Sequence, residues 1–355
     1  MLGIIAITAE LRLQGTEIEI YLPKLRTSRE FFEVTNWAHL LDSQISKADR
    51  ANKKHFVQQF TNFEELPVVI HKFMDIVMGH IVMPGDILSA LEWSVNEICD
   101  NVINHSASTV GGFLQVIAYP KNDIIAFTVA DAGMGIMKSL KEGIPELKDD
   151  IQAIEEAIKV GVTRNKEHGQ GNGLAGTLRI TTMTGGSLDI ISGSGRLIIT
   201  PNDNTFSLQE NDRNFHGTCV SGQIGISKEF SISKALTFGA VPYAPYNIVD
   251  AKYELEEEEA LAIRMIDQNS GVGTRAAGME MRLKVLNLIA AKPSYRLYID
   301  WQDLPVIASS FADEFMGKLF VKMGKAEFES IIKHLHLKPL VRQLIEKAIS
   351  ERSVG

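Results

Sequence analysis

The chain has 355 residues, 45% of them hydrophobic and 23% charged, and a formal net charge of −8 at pH 7. This length and composition are typical of a soluble globular protein with two domains, and the acidic balance argues against broad electrostatic binding of nucleic acid. Because the two cysteines form no CxxC pair and no segment approaches the ~20 apolar residues of a membrane span, we expect no disulfide framework, no structural zinc site, no membrane span and a cytoplasmic location.

Residues 1–55 form an N-terminal segment without an assigned role. The sequence predicts a strand over residues 3–11, a second strand over 16–22 and a polar helix over about 28–53. Over residues 56–80 apolar side chains recur at intervals of three and four, which indicates a helix.

Residues 56–225 are predicted to form the first domain. Asp86 is a suitable N-cap for a helix over about 87–105. The elements predicted after it are strands over 112–119 and 124–130, helices over 151–160 and 174–183, and strands over 187–192, 197–200 and 218–224. Helices come first and strands later, an order that favours an α+β fold over alternating βαβ units.

Residues 226–260 are predicted to be a connector, and residues 261–355 a smaller second domain. Glu254 and the glutamates at 256–259 indicate the solvated start of a helix. The elements predicted for the second domain are a helix over 278–291, a strand over 295–301, and helices over 310–323 and 339–351.

The first motif lies on the helix over 87–105. Glu97, Asn101 and His105 are spaced by four residues and therefore line one helical face. A carboxamide oxygen can bind Mg²⁺, and a carboxylate one turn away can take a proton from water or a hydroxyl group. Taken alone, the same spacing also fits a solvent-exposed polar face.

The second motif follows the strand over 124–130 and reads Asp131-Ala-Gly133-Met-Gly135. An acid at a strand end, followed by alternating glycines, allows the backbone to approach a flat ligand closely. The carboxylate can accept a hydrogen bond from an exocyclic amine such as that of adenine. An ordinary turn between a strand and a loop is the alternative interpretation.

The third motif is Gly169-Gln-Gly171-Asn-Gly173, which leads into the helix over 174–183. Glycine-rich backbone at a helix N-terminus presents N–H groups to phosphate. It is not a Walker A loop, because no Gly-Lys-Ser/Thr follows. It is not a dinucleotide-binding loop either, because the residues before it are polar and do not form a strand.

Together the three motifs resemble the N, G1 and G2 boxes of the GHKL ATPase superfamily, and the helix motif is most similar to that of anti-sigma-factor serine kinases. The pair Gly217-Thr218 resembles the family's late-strand Gly-Thr. The resemblance covers about residues 75–225. It implies a GHKL (Bergerat) α/β sandwich, whose mixed sheet is covered by helices on one side, binding ATP and Mg²⁺.

The resemblance also implies individual roles. Asn101 would bind Mg²⁺, and Glu97 would be the general base. Asp131 would read the adenine amine beside Thr218. Gly133 and Gly135 would shape the adenine pocket. Three further glycines would close over the phosphates, namely Gly169, Gly171 and Gly173. Residues 137–168 would be the ATP lid, where the phosphate contacts implied are Arg164, Lys166 and His168.

The second domain carries Ser309-Ser310-Phe-Ala-Asp313-Glu314. This segment resembles the STAS-like domain that is often fused to such ATPases and, more distantly, anti-sigma-factor antagonists phosphorylated on a serine. The likeness implies Ser310 as a phosphoacceptor. Ala308 departs from the pattern, because true antagonists have an aspartate there, and a structural helix cap is the alternative role of Ser310.

These features lead us to expect a regulatory ATPase that signals through its STAS-like domain to a protein partner. Whether the chain forms a homodimer is left open by the sequence. Two alternatives remain at this stage. One is a serine/threonine kinase whose acceptor is Ser310 or a separate protein, and the other is a nucleotide-sensing module without turnover. A histidine kinase using His71 or His80 is a weaker interpretation.

Overall fold

The computed structural model describes residues 1–45, 57–162, 171–200, 206–238, 243, 245–255, 258–268 and 270–353. The chain forms two compact units, the first from residues 1–73 and 89–245 and the second from residues 74–88 and 246–355. Each unit combines helices with a β-sheet, which confirms the α+β class. Among the described helices, none is long and apolar enough to span a membrane.

The first unit contains five strands and most of the longer helices. In chain order its elements are α1 (Leu2–Leu13), α2 (Arg26–Val34), α3 (Trp37–Leu41), β1 (Val57–Phe60), α4 (Leu66–Met78), α5 (Gly85–His105), β2 (Gly112–Tyr119), β3 (Ile124–Asp131), α6 (Gly135–Lys141), α7 (Asp150–Ala157), α8 (Gly173–Met183), β4 (Leu188–Ile199), β5 (Phe206–Gly225) and α9 (Ile232–Ala235). The end of α4 and the first turn of α5 belong to the second unit.

The sheet of the first unit has the order β1-β2-β3-β5-β4, and every pair of neighbouring strands is antiparallel. The expectation of a mixed sheet is therefore wrong for this unit. Cross-strand partners share a face, so Ala130 and its partner Cys219 lie on one side of the sheet. Val129 and its partner Val220 lie on the other side, where both line a cavity.

Helix α1 covers the face of the sheet that carries Ala130. Leu2, Ile5 and Ala6 form its buried stripe and pack in one core cluster with Phe113 and Ala130. The prediction of a strand over residues 3–11 is therefore wrong, because a short apolar run does not distinguish a strand from a buried helix by periodicity alone. Helices consequently lie on both faces of this sheet rather than on one.

The remainder of the N-terminal segment also differs from the prediction. Residues 16–22, all described, form no strand. The predicted helix over 28–53 is divided, because α2 ends at Val34 and Asn36 adopts a left-handed conformation with φ of 69° before α3 begins. The part of that prediction beyond residue 45 lies outside the described residues.

Strand β1 replaces the first turns of the helix predicted over 56–80. Its four residues pair with β2, with Phe60 opposite Gly112. Helix α4 begins only after a polar turn in which the Asn62 carboxamide oxygen accepts hydrogen bonds from the N–H groups of Glu64 and Glu65. The Asn62 side chain thus satisfies backbone N–H groups in the turn between β1 and α4.

The second unit, besides residues 74–88, contains a four-stranded sheet and its helices. Its elements are a π-turn (Val249–Tyr253), β6 (Glu254–Leu255), β7 (Ala260–Arg264), a 3₁₀ turn (Met265–Asp267), α10 (Arg275–Ala291), β8 (Arg296–Asp300), α11 (Ser309–Ala312), a second π-turn (Asp313–Gly317), α12 (Lys318–Met323), α13 (Lys325–Ile331), β9 (Ile332–Leu335) and α14 (Pro339–Ser353).

The sheet of the second unit has the order β6-β7-β8-β9. β7, β8 and β9 are parallel, and β6 is antiparallel to β7. Helix α10 makes the crossover from β7 to β8. Glu254 lies in β6, where its carboxylate accepts from Lys292 and Tyr295, so the helix start predicted at this acidic run is wrong at that position.

A buried asparagine fixes the α4–α5 turn inside the second unit. The Asn287 amide nitrogen donates to the carbonyls of Met78 and Ile81, both at 2.8 Å, and its carbonyl oxygen accepts from the Met83 N–H at 2.9 Å. Close by, Asp75 at the end of α4 forms ion pairs with Lys252 and Lys284. Residues 74–88 are thus held by side chains that come from the C-terminal part of the chain.

Candidate functional site

A concave site with a volume of about 720 Å³ lies in the first unit. Its walls come from α5, the sheet face carrying Val129 and Val220, the loop after β3, the start of α8 and the segment after α9. A cavity of this size suits a small-molecule ligand or cofactor.

Helix α5 brings its predicted polar face to this cavity. Glu97, Asn101 and His105 all line it, as their spacing of four predicts. Asp100 and Asn104 line it too, and the Asn104 amide donates to the Asp100 carboxylate at 2.8 Å. The opposite stripe of α5 supplies core residues such as Leu91 and Val95, so amphipathic packing fixes which face of the helix meets the ligand space.

The Glu97 carboxylate lies against the N-terminus of α8. A Cβ atom added at Gly173 would lie 2.6 Å from its Oε2, so only glycine leaves room for this carboxylate. Burial, together with the nearby Asp100 carboxylate, raises the pKa of Glu97 to about 7. A carboxyl group that titrates near neutrality can take up or release a proton under physiological conditions.

Asp131, the last residue of β3, is 2% exposed and lines the cavity. Its Oδ1 accepts hydrogen bonds from the Gly133 N–H at 2.8 Å and the Thr218 N–H at 3.3 Å. Burial raises the pKa of Asp131 to about 6, although both N–H groups act to lower it. The second oxygen, Oδ2, retains the capacity to accept a hydrogen bond from a ligand.

Gly133 and Gly135 shape the loop after β3. A Cβ atom at Gly133 would lie 2.1 Å from the Ser106 carbonyl oxygen, which accepts from the Met134 N–H at 2.7 Å. Gly135 has φ of +77°, a conformation that a residue with a side chain rarely adopts. Gly133 therefore allows this loop to pack on the C-terminal end of α5, and Gly135, which lines the cavity, lies against Ser192 and Gly217.

Thr218 lies beside Asp131, as the motif comparison implies. Besides its N–H contact to the carboxylate, its hydroxyl lies 3.2 Å from the Ser192 hydroxyl. Ser192 is 1% exposed and also accepts from the Ile136 N–H at 2.8 Å. Ser192 thus connects β4, β5 and the start of α6, a role that no sequence motif indicated.

The third motif is only partly described. Gly171 has φ of +66°, and both Gly171 and Gly173 line the cavity. Gly169 lies outside the described residues, as do the predicted phosphate contacts Arg164, Lys166 and His168.

The cavity has an acidic lining. It contains three carboxylates, from Glu97, Asp100 and Asp131, and among its described lining residues none is a lysine or arginine. The described residues also include no cluster of three or more histidine, cysteine, aspartate or glutamate side chains that would form a metal cage. The Asn101 carboxamide lines the cavity and could hold Mg²⁺, an ion that usually keeps several waters and takes only one or two protein ligands.

The segment after α9 forms a wall of the cavity that sequence reasoning missed. Leu236, Phe238 and Tyr243 line the cavity together with Trp93 of α5. All three fall within the predicted connector over 226–260, and residues 226–245 belong to the first unit. They form no spaced motif, so only the apolar character of this stretch could have indicated that they line a cavity.

Ser310 lies in the second unit, in the first turn of α11. Its side chain is half-buried, and Ser309 beside it is exposed. Asp313 and Glu314, in the same signature, form ion pairs with Arg352 and Arg282. Phe311 of the same signature is fully buried. Phe311, Asp313 and Glu314 therefore also have structural roles.

Comparison with known proteins adds no assignment. No protein-family model matches the sequence, and no curated protein matches it significantly.

Proposed function

We propose that the chain binds ATP with Mg²⁺ in the cavity of the first unit and hydrolyses it as a conformational switch. The observation that carries the proposal is the arrangement around Asp131. The carboxylate is buried at a strand end, two backbone N–H groups occupy Oδ1, and Oδ2 remains as an acceptor for an exocyclic amine such as that of adenine. The likeness of the ordered motifs to those of GHKL ATPases supports the same ligand.

The proposed chemistry is attack of water on the terminal phosphate, which breaks its bond to the β–γ bridging oxygen and releases ADP and inorganic phosphate. Asn101 would bind Mg²⁺, which would neutralise charge on the phosphates. Glu97, whose carboxylate lies at the start of α8, would orient the water and accept its proton. Gly171 and Gly173 would present backbone N–H groups to the phosphates.

The second unit would report the nucleotide state to a protein partner. Its sheet of three parallel strands and one antiparallel strand and the Ser309–Glu314 signature are compatible with a STAS-like module. A serine kinase is the second candidate, because the same Glu97 could activate a hydroxyl group instead of water and Ser310 is half-buried rather than enclosed.

Incubation with γ-labelled ATP and Mg²⁺ tests the proposal. Wild type is compared with Glu97→Gln, Asp131→Asn and Ser310→Ala, and free phosphate is counted separately from protein-bound label. Nucleotide binding is measured in parallel by titration calorimetry. The proposal expects free phosphate from wild type, its loss in Glu97→Gln with binding retained, and weakened binding in Asp131→Asn.

Each other result has a distinct meaning. Acid-stable label on wild type that disappears in Ser310→Ala would establish the kinase. Binding without phosphate release would leave a nucleotide sensor. Absence of ATP binding by wild type at millimolar nucleotide would refute the proposal.

A further inference from the structure

One face of α8 contacts three successive parts of the cavity. Gly173, Gly176 and Arg179 follow one another at intervals of three residues and so lie along this face. Gly173 lies against Glu97, and a Cβ atom at Gly176 would lie 2.2 Å from the Trp93 ring and 3.0 Å from the Leu236 side chain. The two glycines therefore allow α5 to approach α8 closely. Glu97 meets the first turn of α8 at Gly173, and Trp93 meets the next turn at Gly176.

Arg179 extends this face to the segment after α9. Its guanidinium donates to the Thr237 carbonyl at 2.9 Å and lies 5.3 Å from the centre of the Phe238 ring. One side chain thus holds two consecutive residues, by a charge-assisted hydrogen bond and by a cation–π contact. Neither contact involves the predicted nucleotide motifs.

The residues around this contact that line the cavity have apolar or aromatic side chains. Leu236 is fully buried, Trp93 is 8% exposed, and Phe238 is half-buried. Together with Tyr243 they form what we call the apolar wall, defined as Trp93, Leu236, Phe238 and Tyr243. The wall lies at the Glu97 end of the cavity, since Trp93 precedes Glu97 by one turn of α5.

We propose that Arg179 is a positioning residue of the site, which holds residues 236–238 on α8 so that the apolar wall excludes bulk water from the Glu97 carboxylate. The inference rests on the proposed ATP site for its catalytic consequence, but its structural part applies to the protein without nucleotide. Exclusion of bulk water strengthens electrostatic interactions inside a site and limits the nucleophile to a bound water.

The catalytic test compares kcat and KM for ATP hydrolysis in Arg179→Ala, Arg179→Lys, Phe238→Ala and wild type. Arg179→Ala and Phe238→Ala are expected to lower kcat about tenfold while KM stays within about twofold, because the Asp131 end of the cavity is unchanged. Arg179→Lys should recover much of kcat, since an ammonium can donate to the Thr237 carbonyl and lie over the Phe238 ring. The matched control is Arg196→Ala, an arginine of β4 that pairs with Asp189 and does not line the cavity.

The structural test needs no nucleotide. Acrylamide quenching of tryptophan fluorescence is measured for each variant with and without Trp93→Phe, and the difference gives the contribution of Trp93. The proposal expects Trp93 to become about twice as accessible in Arg179→Ala and Phe238→Ala, and to remain protected in Arg179→Lys and Arg196→Ala.

The two tests separate the proposals. If wild type shows no hydrolysis, the ATPase function fails, and the quenching result alone decides on the wall. If Trp93 stays protected in Arg179→Ala and kcat is unchanged, the inference is overturned. An equal loss of kcat in Arg196→Ala, with no recovery in Arg179→Lys, would mean general destabilisation and would overturn it as well.

Discussion

Burial determines how the acids of the cavity ionise. Asp131 is 2% exposed, and its pKa is raised to about 6 although two backbone N–H groups stabilise the charge. Among the residues that the structure describes, no backbone N–H donates to Glu97, and the pKa of Glu97 is raised to about 7. One buried carboxylate is thus held by fixed donors, whereas the other lies against glycine, and this difference separates a binding role from a proton-transfer role.

Replacing Asp131 with asparagine tests the binding role. The change keeps the shape of the side chain but removes the charge that would strengthen a hydrogen bond from an exocyclic amine. Because a hydrogen bond to a charged group contributes about 1.5–3 kcal/mol, ATP affinity is expected to fall about 10- to 100-fold. Calorimetry measures the loss, and Asp189→Asn, on the other face of the sheet, is the control.

The same residue makes stability depend on pH. Since the pKa of Asp131 is raised from 3.8 to about 6 in the folded protein, its ionisation lowers the free energy of unfolding above pH ~6, by about 3 kcal/mol. This cost disappears as the pH falls towards 3.8. Relative to Asp131→Asn, wild type should therefore lose free energy of unfolding between pH 4 and pH 7. Urea denaturation at several pH values measures this, and parallel profiles for the two proteins would contradict it.

At the scale of elements, the meeting of α5 and α8 places the proposed general base. The Glu97 carboxylate rests on Gly173, one turn before the contact between Trp93 and Gly176. Both glycines serve as points of close approach between two helices, which is a packing requirement rather than one of backbone conformation. The position of Glu97 therefore depends on residues about 75 positions along the chain from it.

Gly173→Ala should separate activity from stability. The new Cβ would lie 2.6 Å from Glu97 Oε2 and 3.2 Å from Glu97 Cβ, so the flexible carboxylate must move away. Hydrolysis is expected to fall about 10- to 100-fold, whereas the free energy of unfolding should change by less than about 1 kcal/mol because alanine favours a helix. Gly273→Ala, where a Cβ would have no neighbour within 4 Å, is the control. Unchanged hydrolysis would mean that the position of Glu97 is not critical.

The sequence predicted some elements well and others poorly, for identifiable reasons. Helix α5 is long and periodic and carries Asp86 in its first turn, so its approximate extent and its polar face could be predicted. Strand β1 has only four residues and adjoins α4, so its pattern merges with that of the helix. The apolar wall could not be predicted, because it depends on contacts between Arg179 and residues far along the chain that no local pattern records.

At the scale of the whole molecule, the second unit is built from two separate stretches of sequence. Residues 74–88 pack with residues 246–355, and Asn287 satisfies backbone groups of Met78, Ile81 and Met83. Its side chain is 1% exposed, so no solvent replaces these hydrogen bonds. A division of the chain after residue 245 would therefore leave the second unit without residues 74–88.

Asn287→Ala measures how much these hydrogen bonds contribute to the free energy of unfolding. Three buried backbone groups would lose a partner, and the free energy of unfolding is expected to fall by about 2–4 kcal/mol. Chemical denaturation gives the change, with Asn122→Ala, at an exposed position in the β2–β3 turn, as the control. A loss similar to that of the control would mean that water reaches the α4–α5 turn.

The hydrogen bond between Met83 and Asn287 spans 204 residues, and this has a consequence for synthesis on the ribosome. At about 5–20 residues per second, roughly 10–40 seconds separate the emergence of its two partners. During that time the nascent α4–α5 turn has no acceptor or donor from α10, and its apolar neighbours Met78 and Ile81 are without their final cover. Co-translational folding of this chain therefore includes an interval in which the α4–α5 turn cannot form its final hydrogen bonds.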